Sequence, residues 1–254
     1  MTNILIETLL LSLATASWII FALSNILYRK KNTKLPKIIA IIAIVIQLAW
    51  TTFRVWQSGY APFSGAYESM VFFSFIFGIK LIFLSRWKTT TQGYLSIPIV
   101  LMLTAAVFLP SHLKTINILV PALQSPWIFI HVPSFFIGYV SLVIAFVLSI
   151  GDTFGGADND ISRNISLNSE IKLAFFFITL GIITGAFWGE QAWGNFWSWD
   201  PKELWALITW LLLIIYFHIR NKTTKFVLIT VAFLAMLFTY FGVMFLLSGL
   251  HSYI

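Results

Sequence analysis

Residues 127–150 read WIFIHVPSFFIGYVSLVIAFVLSI, a run of 24 residues without aspartate, glutamate, lysine or arginine. About 20 such residues in a helix cross the roughly 30 Å apolar core of a bilayer, because each residue adds about 1.5 Å. Similar runs recur along the chain and predict eight membrane-spanning helices. The predicted spans are residues 4–27, 38–56, 67–85, 93–109, 127–150, 171–188, 204–219 and 226–248.

The composition of the whole chain supports a membrane protein. Of its 254 residues, 59% are hydrophobic and 10% are charged, and the mean hydropathy is +0.90. Soluble globular domains carry about 25% charged residues, so an ordinary soluble domain is excluded. We therefore expect an all-α integral membrane protein that forms a single polytopic domain over residues 1–254.

The basic residues predict the orientation of the helices. With eight spans, 13 of the 16 lysines and arginines lie on one side of the membrane. The other three are Arg54, Lys114 and Lys202. Basic loops stay on the cytoplasmic side, so both termini are expected on the outer side. The net charge is +7. The basic residues lie in short clusters between apolar runs, which is typical of membrane-protein loops next to lipid, so no nucleic-acid partner is predicted.

The chain contains no cysteine. This excludes disulfides, thiol redox chemistry, cysteine-based metal sites and a self-attached c-type heme, which needs a C-x-x-C-H segment. Any thiol chemistry must come from a partner.

The outer loop 189–203 is unusually rich in tryptophan. Trp193 to Glu203 reads WGNFWSWDPKE, and six of the 11 tryptophans lie between Trp188 and Trp210. Tryptophan favours the headgroup level of a membrane, so an interfacial belt is one interpretation. A belt explains one or two tryptophans per helix end but not this cluster in a charged loop. We therefore favour a platform for a flat apolar ligand, with Lys202 able to meet an anionic edge and Asp200 or Glu203 able to fix the loop.

Three of the four histidines, His112, His131 and His251, are predicted on the same side as this loop. His131 lies near the outer start of the fifth span, and His251 follows the last span. Neutral imidazole ligates iron, and heme offers two axial positions, so this pair predicts a bis-histidine heme site. His218 lies roughly 20 Å along the seventh span, near the inner face, where it suits a second site completed by a partner or a structural bond to a carbonyl. His112 is expected to be a solvated loop residue.

These residues also carry a family resemblance. Trp193 to Asp200 fits the pattern W-G-x-x-W-x-W-D of heme-handling proteins, and WSWDPKELWALITW, from Trp197 to Trp210, resembles the CcsA/ResC cytochrome c biogenesis proteins (System II). Further motifs match this family in the same order. They are Ala66 to Ser69, Leu123 to Trp127 followed by His131, Tyr216 to Arg220, and Gly249 to Tyr253. The resemblance covers roughly residues 60–254, and residues 1–60 show no family motif.

The resemblance implies a site and a set of partners. It makes His131 and His251 the outer axial ligands of heme b, the transferred group, and pairs His218 with a ligand from a CcsB/ResB-type subunit. The heme-contacting residues implied within the tryptophan-rich motif are Trp193, Gly194, Trp197, Trp199 and Asp200. It also implies an apocytochrome c with a C-x-x-C-H segment and a thiol-reducing partner.

The function implied is heme delivery to apocytochrome c on the outer side of a bacterial cytoplasmic or chloroplast thylakoid membrane. The chain would be one component of a holocytochrome c synthase, and no side chain is identified as a catalytic acid or base. One alternative is a CcmC-like heme exporter or chaperone without ligation activity, although His218 and the Pro201-Lys202-Glu203 continuation favour the CcsA type. The other is a membrane assembly subunit that binds no heme.

Overall fold

The computed structural model describes residues 2–27, 34–83, 89–154, 161–247 and 249–251. Every regular element that it describes is helical, which confirms the predicted all-α class. The main helices are α1 (Thr2–Leu27), α2 (Lys34–Ser58), α3 (Ala66–Phe83), α4 (Thr89–Phe108), α5 (Ile128–Phe154), α6 (Ile161–Trp193), α7 (Pro201–His218) and α8 (Lys222–Leu237). The shorter elements are 3-10 turns at Ser111–Leu113 and Pro121–Gln124, a π-helical turn at Phe238–Gly242 and α9 (Val243–Leu246).

Seven of the described helices are long and apolar enough to cross a bilayer, which makes the chain a multi-pass membrane protein. They are α1 to α6 and α8 with its π-helical turn. The predicted span 204–219 corresponds to α7, which is not among the seven. Its 18 residues begin with Pro201, Lys202 and Glu203 and end with His218, so its apolar stretch is short. The count of eight spans and the outer position of both termini stay predictions.

Packing divides the chain into two compact units, Met1–Leu119 (unit 1) and Val120–Ile254 (unit 2). The boundary falls in the loop between α4 and α5. The single polytopic domain stays a prediction. So does its division into helices without family motifs in residues 1–60 and a heme-handling region in 61–254.

In unit 1, α1 packs against α2 and α4, and α3 packs against the same two helices. A chain of buried hydrogen bonds joins three of them, because Trp18 Nε1 donates to Gln47 Oε1 over 3.0 Å and Gln47 Nε2 donates to Ser74 Oγ over 2.7 Å. Polar groups in a bilayer need partners inside the protein, and these bonds provide them while fixing the helix register.

A buried ion cluster lies at one end of unit 1. The Arg54 guanidinium contacts the Glu68 carboxylate at 2.6 Å and the Glu7 carboxylate at 3.1 Å, and it also donates to the Lys114 carbonyl over 2.8 Å. The Arg54 side chain is only 2% exposed. Arg54 therefore ties α1, α2, α3 and the loop after α4 together, and its charge is neutralised inside the protein.

In unit 2, α5 packs against α6 and α8, and α7 packs against the same two helices, which gives a closed ring of four neighbours. The α5–α6 contact is close because it involves glycines. A Cβ atom added at Gly138 would lie 2.8 Å from Ile178 Cγ1, and one added at Gly181 would lie 2.7 Å from the Phe135 ring. Small residues let membrane helices approach in this way. The start of α5, the end of α6, the start of α7 and the end of α9 all contribute residues to one site.

Candidate functional site

His131 lies in the first turn of α5 and is held against α6. Its Nδ1 lies 2.9 Å from the Gly181 carbonyl oxygen, and its ring centroid lies 5.3 Å from that of Trp188 and 5.1 Å from that of Phe135. A Cβ atom at Gly185 would lie 2.5 Å from His131 Cε1, so the imidazole occupies the space that the glycine leaves. The sequence of α6 thus fixes the position of this ring.

His251 follows α9 and is held by Asp200. The His251 Nδ1 atom lies 2.9 Å from Asp200 Oδ2, and the preceding Leu250 amide donates to Asp200 Oδ1 over 2.6 Å. The His251 ring packs edge-on against two tryptophans, with centroid distances of 5.4 Å to Trp188 and 4.9 Å to Trp193. The end of the described chain is therefore tied to the residue that begins α7.

Asp200 holds this position because it is the N-cap of α7. Its Oδ2 accepts a bond from the Lys202 amide over 3.1 Å, and the Glu203 carboxylate returns a bond from the Asp200 amide over 3.2 Å. In this capping box the backbone amides donate and the carboxylates of Asp200 and Glu203 accept. Glu203 also accepts bonds from the Ser198 amide and hydroxyl at 2.9 and 3.1 Å, so one short segment fixes both the helix start and the loop before it.

The local electrostatics keep Asp200 ionised and His251 neutral. Burial alone would raise the pKa of Asp200, but the hydrogen bond and charge of His251 and the two backbone amides hold that pKa below its ordinary value. Burial lowers the pKa of His251, and the Lys202 charge adds to this effect although the Asp200 bond opposes it. Burial also lowers the pKa of the Lys202 ammonium, and the Asp200 charge opposes that shift. The His251–Asp200 contact is thus a hydrogen bond from a neutral imidazole to a carboxylate.

Both imidazoles present the same ring nitrogen. A carbonyl and a carboxylate accept hydrogen bonds but do not donate them, so the ring hydrogen of the neutral form lies on Nδ1 in His131 and in His251. The lone pair then lies on Nε2, which is the form of imidazole that ligates iron. Two such nitrogens beside tryptophan faces fit the axial ligands and the flat surface of a heme.

Trp188 joins the two histidines. Its ring contacts those of His131 and His251 and lies 4.9 Å from that of Trp193, and its Nε1 donates to the Ala122 carbonyl over 2.7 Å. It is only 2% exposed. The sequence places Trp188 in the tryptophan cluster but does not single it out for the site, because a tryptophan at a helix end is the ordinary pattern at a membrane interface. Its spacing from Gly181 and Gly185 on one face of α6 is the signal that identifies it.

The structure brings together only part of the predicted motif. Trp197 and Trp199 pair with each other at 5.8 Å, and the described ring contacts include none between them and the histidines. Trp199 is 67% exposed, and its φ of 59° lies in the left-handed region that few non-glycine residues adopt. Gly194, with a φ of 74°, makes the turn that follows α6.

His218 lies away from this site. It is the last residue of α7, which begins next to Asp200, so the 18-residue helix separates them by about 25 Å. The His218 side chain is exposed, and its Nδ1 lies 2.8 Å from the Ile214 carbonyl. His112 is also exposed, in the turn Ser111–Leu113 of unit 1. His218 therefore lies at the opposite end of α7 from Asp200, and a second heme site at His218 stays a prediction.

Comparison with known proteins identifies the family. The family model described as "Cytochrome C assembly protein" matches residues 63–251, which include all three candidate ligands. The chain is 34% identical to the cytochrome c biogenesis protein CcsA of Chlamydomonas reinhardtii, over 92% of this chain and 72% of that protein. It is 32% identical to CcsA of Porphyra purpurea, over 86% and 88% of the two chains, and 32% identical to CcsA of Prochlorococcus marinus strain MIT 9301, over 89% and 86%. The chain therefore belongs to the CcsA family of cytochrome c biogenesis proteins.

Proposed function

We propose that this chain takes part in cytochrome c maturation by holding heme b for attachment to apocytochrome c. The observation that supports this most directly is the pair of imidazoles at Trp188, each with Nδ1 bonded and Nε2 left with its lone pair. Heme is the substrate here. His131 and His251 are the axial ligands of its iron, and Trp188 and Trp193 pack against the macrocycle.

The remaining predicted residues have supporting roles. Gly194 makes the turn that places Trp197 and Trp199 at the edge of the site, where they extend the aromatic surface. Lys202 meets a heme propionate, because its ammonium is a positive charge close enough to act on Asp200 and His251. Asp200 fixes the loop through the cap of α7.

Heme reaches this outer site from a second site at the other end of α7. There His218 supplies one ligand through Nε2, since its Nδ1 is bonded to the Ile214 carbonyl. A CcsB/ResB-type subunit supplies the other ligand. The exposure of the His218 side chain leaves it accessible to such a partner.

Attachment proceeds by addition. Each cysteine thiol of the C-x-x-C-H segment adds across a heme vinyl group, so that sulfur bonds to one vinyl carbon and hydrogen to the other, with no net oxidation. The histidine of that segment replaces one ligand of this chain, and a thiol-reducing partner keeps the cysteines reduced. The chain contributes by positioning iron and the vinyl edge. The outer side is the periplasm of a bacterium or the lumen of a thylakoid.

The first test is the visible spectrum of the full chain purified with its CcsB-type partner. We expect bis-histidine heme bands that weaken in His131→Ala and His251→Ala, and a separate loss in His218→Ala. His112→Ala is the matched control and keeps the wild-type spectrum, because this histidine is exposed in unit 1. A wild-type complex that contains no heme despite adequate supply contradicts the proposal.

A second assay separates attachment from transport. The same complex, given apocytochrome c and reductant, is expected to form covalently bound heme. If heme binds and passes to an acceptor but no thioether product forms, the chain is a heme exporter or chaperone instead.

A further inference from the structure

We propose that Asp200 is the positioning residue for His251, which it presents to heme iron through Nε2 and strengthens as a ligand. This inference rests on the proposed heme site. It adds to the proposed heme site a specific role for the Asp200 carboxylate, which is to orient His251 and not only to fix the loop or contact the macrocycle.

Both carboxylate oxygens of Asp200 accept hydrogen bonds. Oδ2 accepts bonds from His251 Nδ1 and from the Lys202 amide, and Oδ1 accepts the bond from the Leu250 amide. The Asp200 side chain is 2% exposed, so water does not replace these partners easily. One carboxylate therefore starts α7 and also orients the segment that carries His251.

The fit of this segment depends on a glycine. A Cβ atom added at Gly249 would overlap Asp200 Oδ1, and it would lie 3.3 Å from Pro201 Cδ. The chain thus approaches the N-cap more closely than any other residue type at position 249 would allow. This approach is what places the Leu250 amide and the His251 ring on the two oxygens.

His131 and His251 donate their Nδ1 hydrogens to different kinds of acceptor. His131 Nδ1 donates to the neutral Gly181 carbonyl, whereas His251 Nδ1 donates to an ionised carboxylate. A carboxylate that accepts the Nδ1 hydrogen makes the imidazole more basic at Nε2 and fixes its tautomer. His251 is therefore the stronger iron ligand of the two, and it favours the oxidised state of the iron.

Asp200→Asn breaks this arrangement while preserving shape. The asparagine amide has one oxygen and one NH2 group, whereas all three partners of Asp200 are donors. If the NH2 group faces His251, it donates to Nδ1 and moves the ring hydrogen to Nε2, which can then no longer ligate iron. If the NH2 group faces Leu250, the hydrogen bond from the Leu250 amide is lost and the segment that carries His251 is released.

Glu203→Gln is the matched control. It changes a carboxylate to an amide in the same capping box, and its partners are Ser198 and the Asp200 amide rather than a histidine. A general weakening of the cap affects both variants, whereas the loss of His251 positioning affects only Asp200→Asn.

The experiment measures two quantities in the full chain with its partner subunit. In the heme-free protein, nitrogen NMR of labelled histidine reports the tautomer of His251, and we expect an Nδ1–H ring in wild type and in Glu203→Gln but not in Asp200→Asn. In the heme-loaded protein we expect Asp200→Asn to lower heme affinity about 10- to 100-fold and to raise the midpoint potential. Gly249→Ala, which displaces the segment without changing the carboxylate, is expected to lower heme affinity in the same way.

Three results would overturn the inference. One is that the wild-type protein binds heme and Asp200→Asn keeps the wild-type His251 tautomer and midpoint potential. That result would leave the proposed function intact. Another is an equal effect of Glu203→Gln, which assigns the loss to the cap. The third is a further loss of heme affinity when Asp200→Asn is added to His251→Ala, because a residue that acts through His251 has no effect without it. Absence of heme from wild type overturns the proposed function and this inference together.

Discussion

At the scale of single residues, the three candidate ligands share one arrangement. Nδ1 of His131, His251 and His218 lies 2.8 to 2.9 Å from an oxygen that only accepts hydrogen bonds. Each neutral ring therefore carries its hydrogen on Nδ1 and its lone pair on Nε2. Hydrogen bonding to Nδ1 also limits rotation of the ring, so part of the entropic cost of ligation is met in the folded chain.

Gly185 is expected to be essential for the position of His131. In Gly185→Ala the new methyl group would meet His131 Cε1 at 2.5 Å and Nδ1 at 2.7 Å, so the ring must move away from the Gly181 carbonyl. We expect the heme content of the purified complex to fall several-fold and the free energy of unfolding to fall by about 1–3 kcal/mol, as for other overpacked cores. Heme per protein and thermal unfolding measure the two effects.

The control for this variant is Gly138→Ala, which overpacks the same pair of helices against Ile178 without touching a histidine. It should lose stability to a similar degree but keep its heme content relative to folded protein. Equal heme loss in the two variants would mean that helix packing in general, rather than the space beside His131, controls binding.

At the scale of helices, buried polar groups determine how unit 1 is assembled. Arg54, Glu7 and Glu68 come from three different helices and satisfy one another where little water is available. The bond from Arg54 to the Lys114 carbonyl extends this cluster to the loop after α4. Arg54, which the sequence analysis only counted among the basic residues of one side, is therefore an internal connection between helices.

Removing the arginine should expose this dependence. Arg54→Ala leaves two buried carboxylates without their partner, and breaking a buried pair in this way costs about 3–5 kcal/mol. We expect a large loss of folded protein and a lower midpoint of thermal unfolding in detergent. The comparison is Lys222→Ala. It removes the ion pair of 3.1 Å between Lys222 and Asp152, in which the lysine side chain is 53% exposed. Exposed pairs contribute about 0–1 kcal/mol, so a result in which both variants lose equal stability contradicts the interpretation.

At the scale of the whole molecule, orientation in the membrane decides whether the site faces the apocytochrome. Four helix ends lie together at one end of unit 2 and hold the candidate site. They are those of α5, α6, α7 and α9, which carry or adjoin His131, Trp188, Asp200 and His251. The positive-inside rule places that end outside, and it places the connection between α7 and α8 inside. The three basic residues of that connection are Arg220, Lys222 and Lys225.

The absence of native cysteines makes this orientation directly measurable. Asn195→Cys lies in the tryptophan-rich loop and Thr223→Cys lies at the start of α8, and both positions are exposed. A membrane-impermeant maleimide is expected to label Asn195→Cys in intact cells and Thr223→Cys only after permeabilisation. The cysteine-free parent protein is the control for background. The opposite pattern would show that the site faces the cytoplasm.

The sequence by itself determined the membrane class, the helical fold and the identity of the candidate ligands. Long uncharged runs such as residues 127–150 have one stable form in a bilayer, because a helix satisfies all its backbone groups internally. The sequence also predicted α7 as a crossing, but α7 is not among the seven helices long and apolar enough to span a bilayer, since Lys202 and Glu203 occupy its first turn. Residue chemistry also made His131 and His251 candidate ligands, since neutral imidazole binds heme iron.

Only the tertiary structure decided how these residues meet. The spacing of Trp188 from Gly181 and Gly185 places all three on one face of α6, but only the close approach of α5 and α6 shows that Trp188 contacts His131. Asp200 and His251 are 51 positions apart, and only the packing of the chain end on the N-terminus of α7 reveals their hydrogen bond. Local patterns follow from the neighbours of each residue along the chain, whereas a site built from four helix ends depends on long-range contacts.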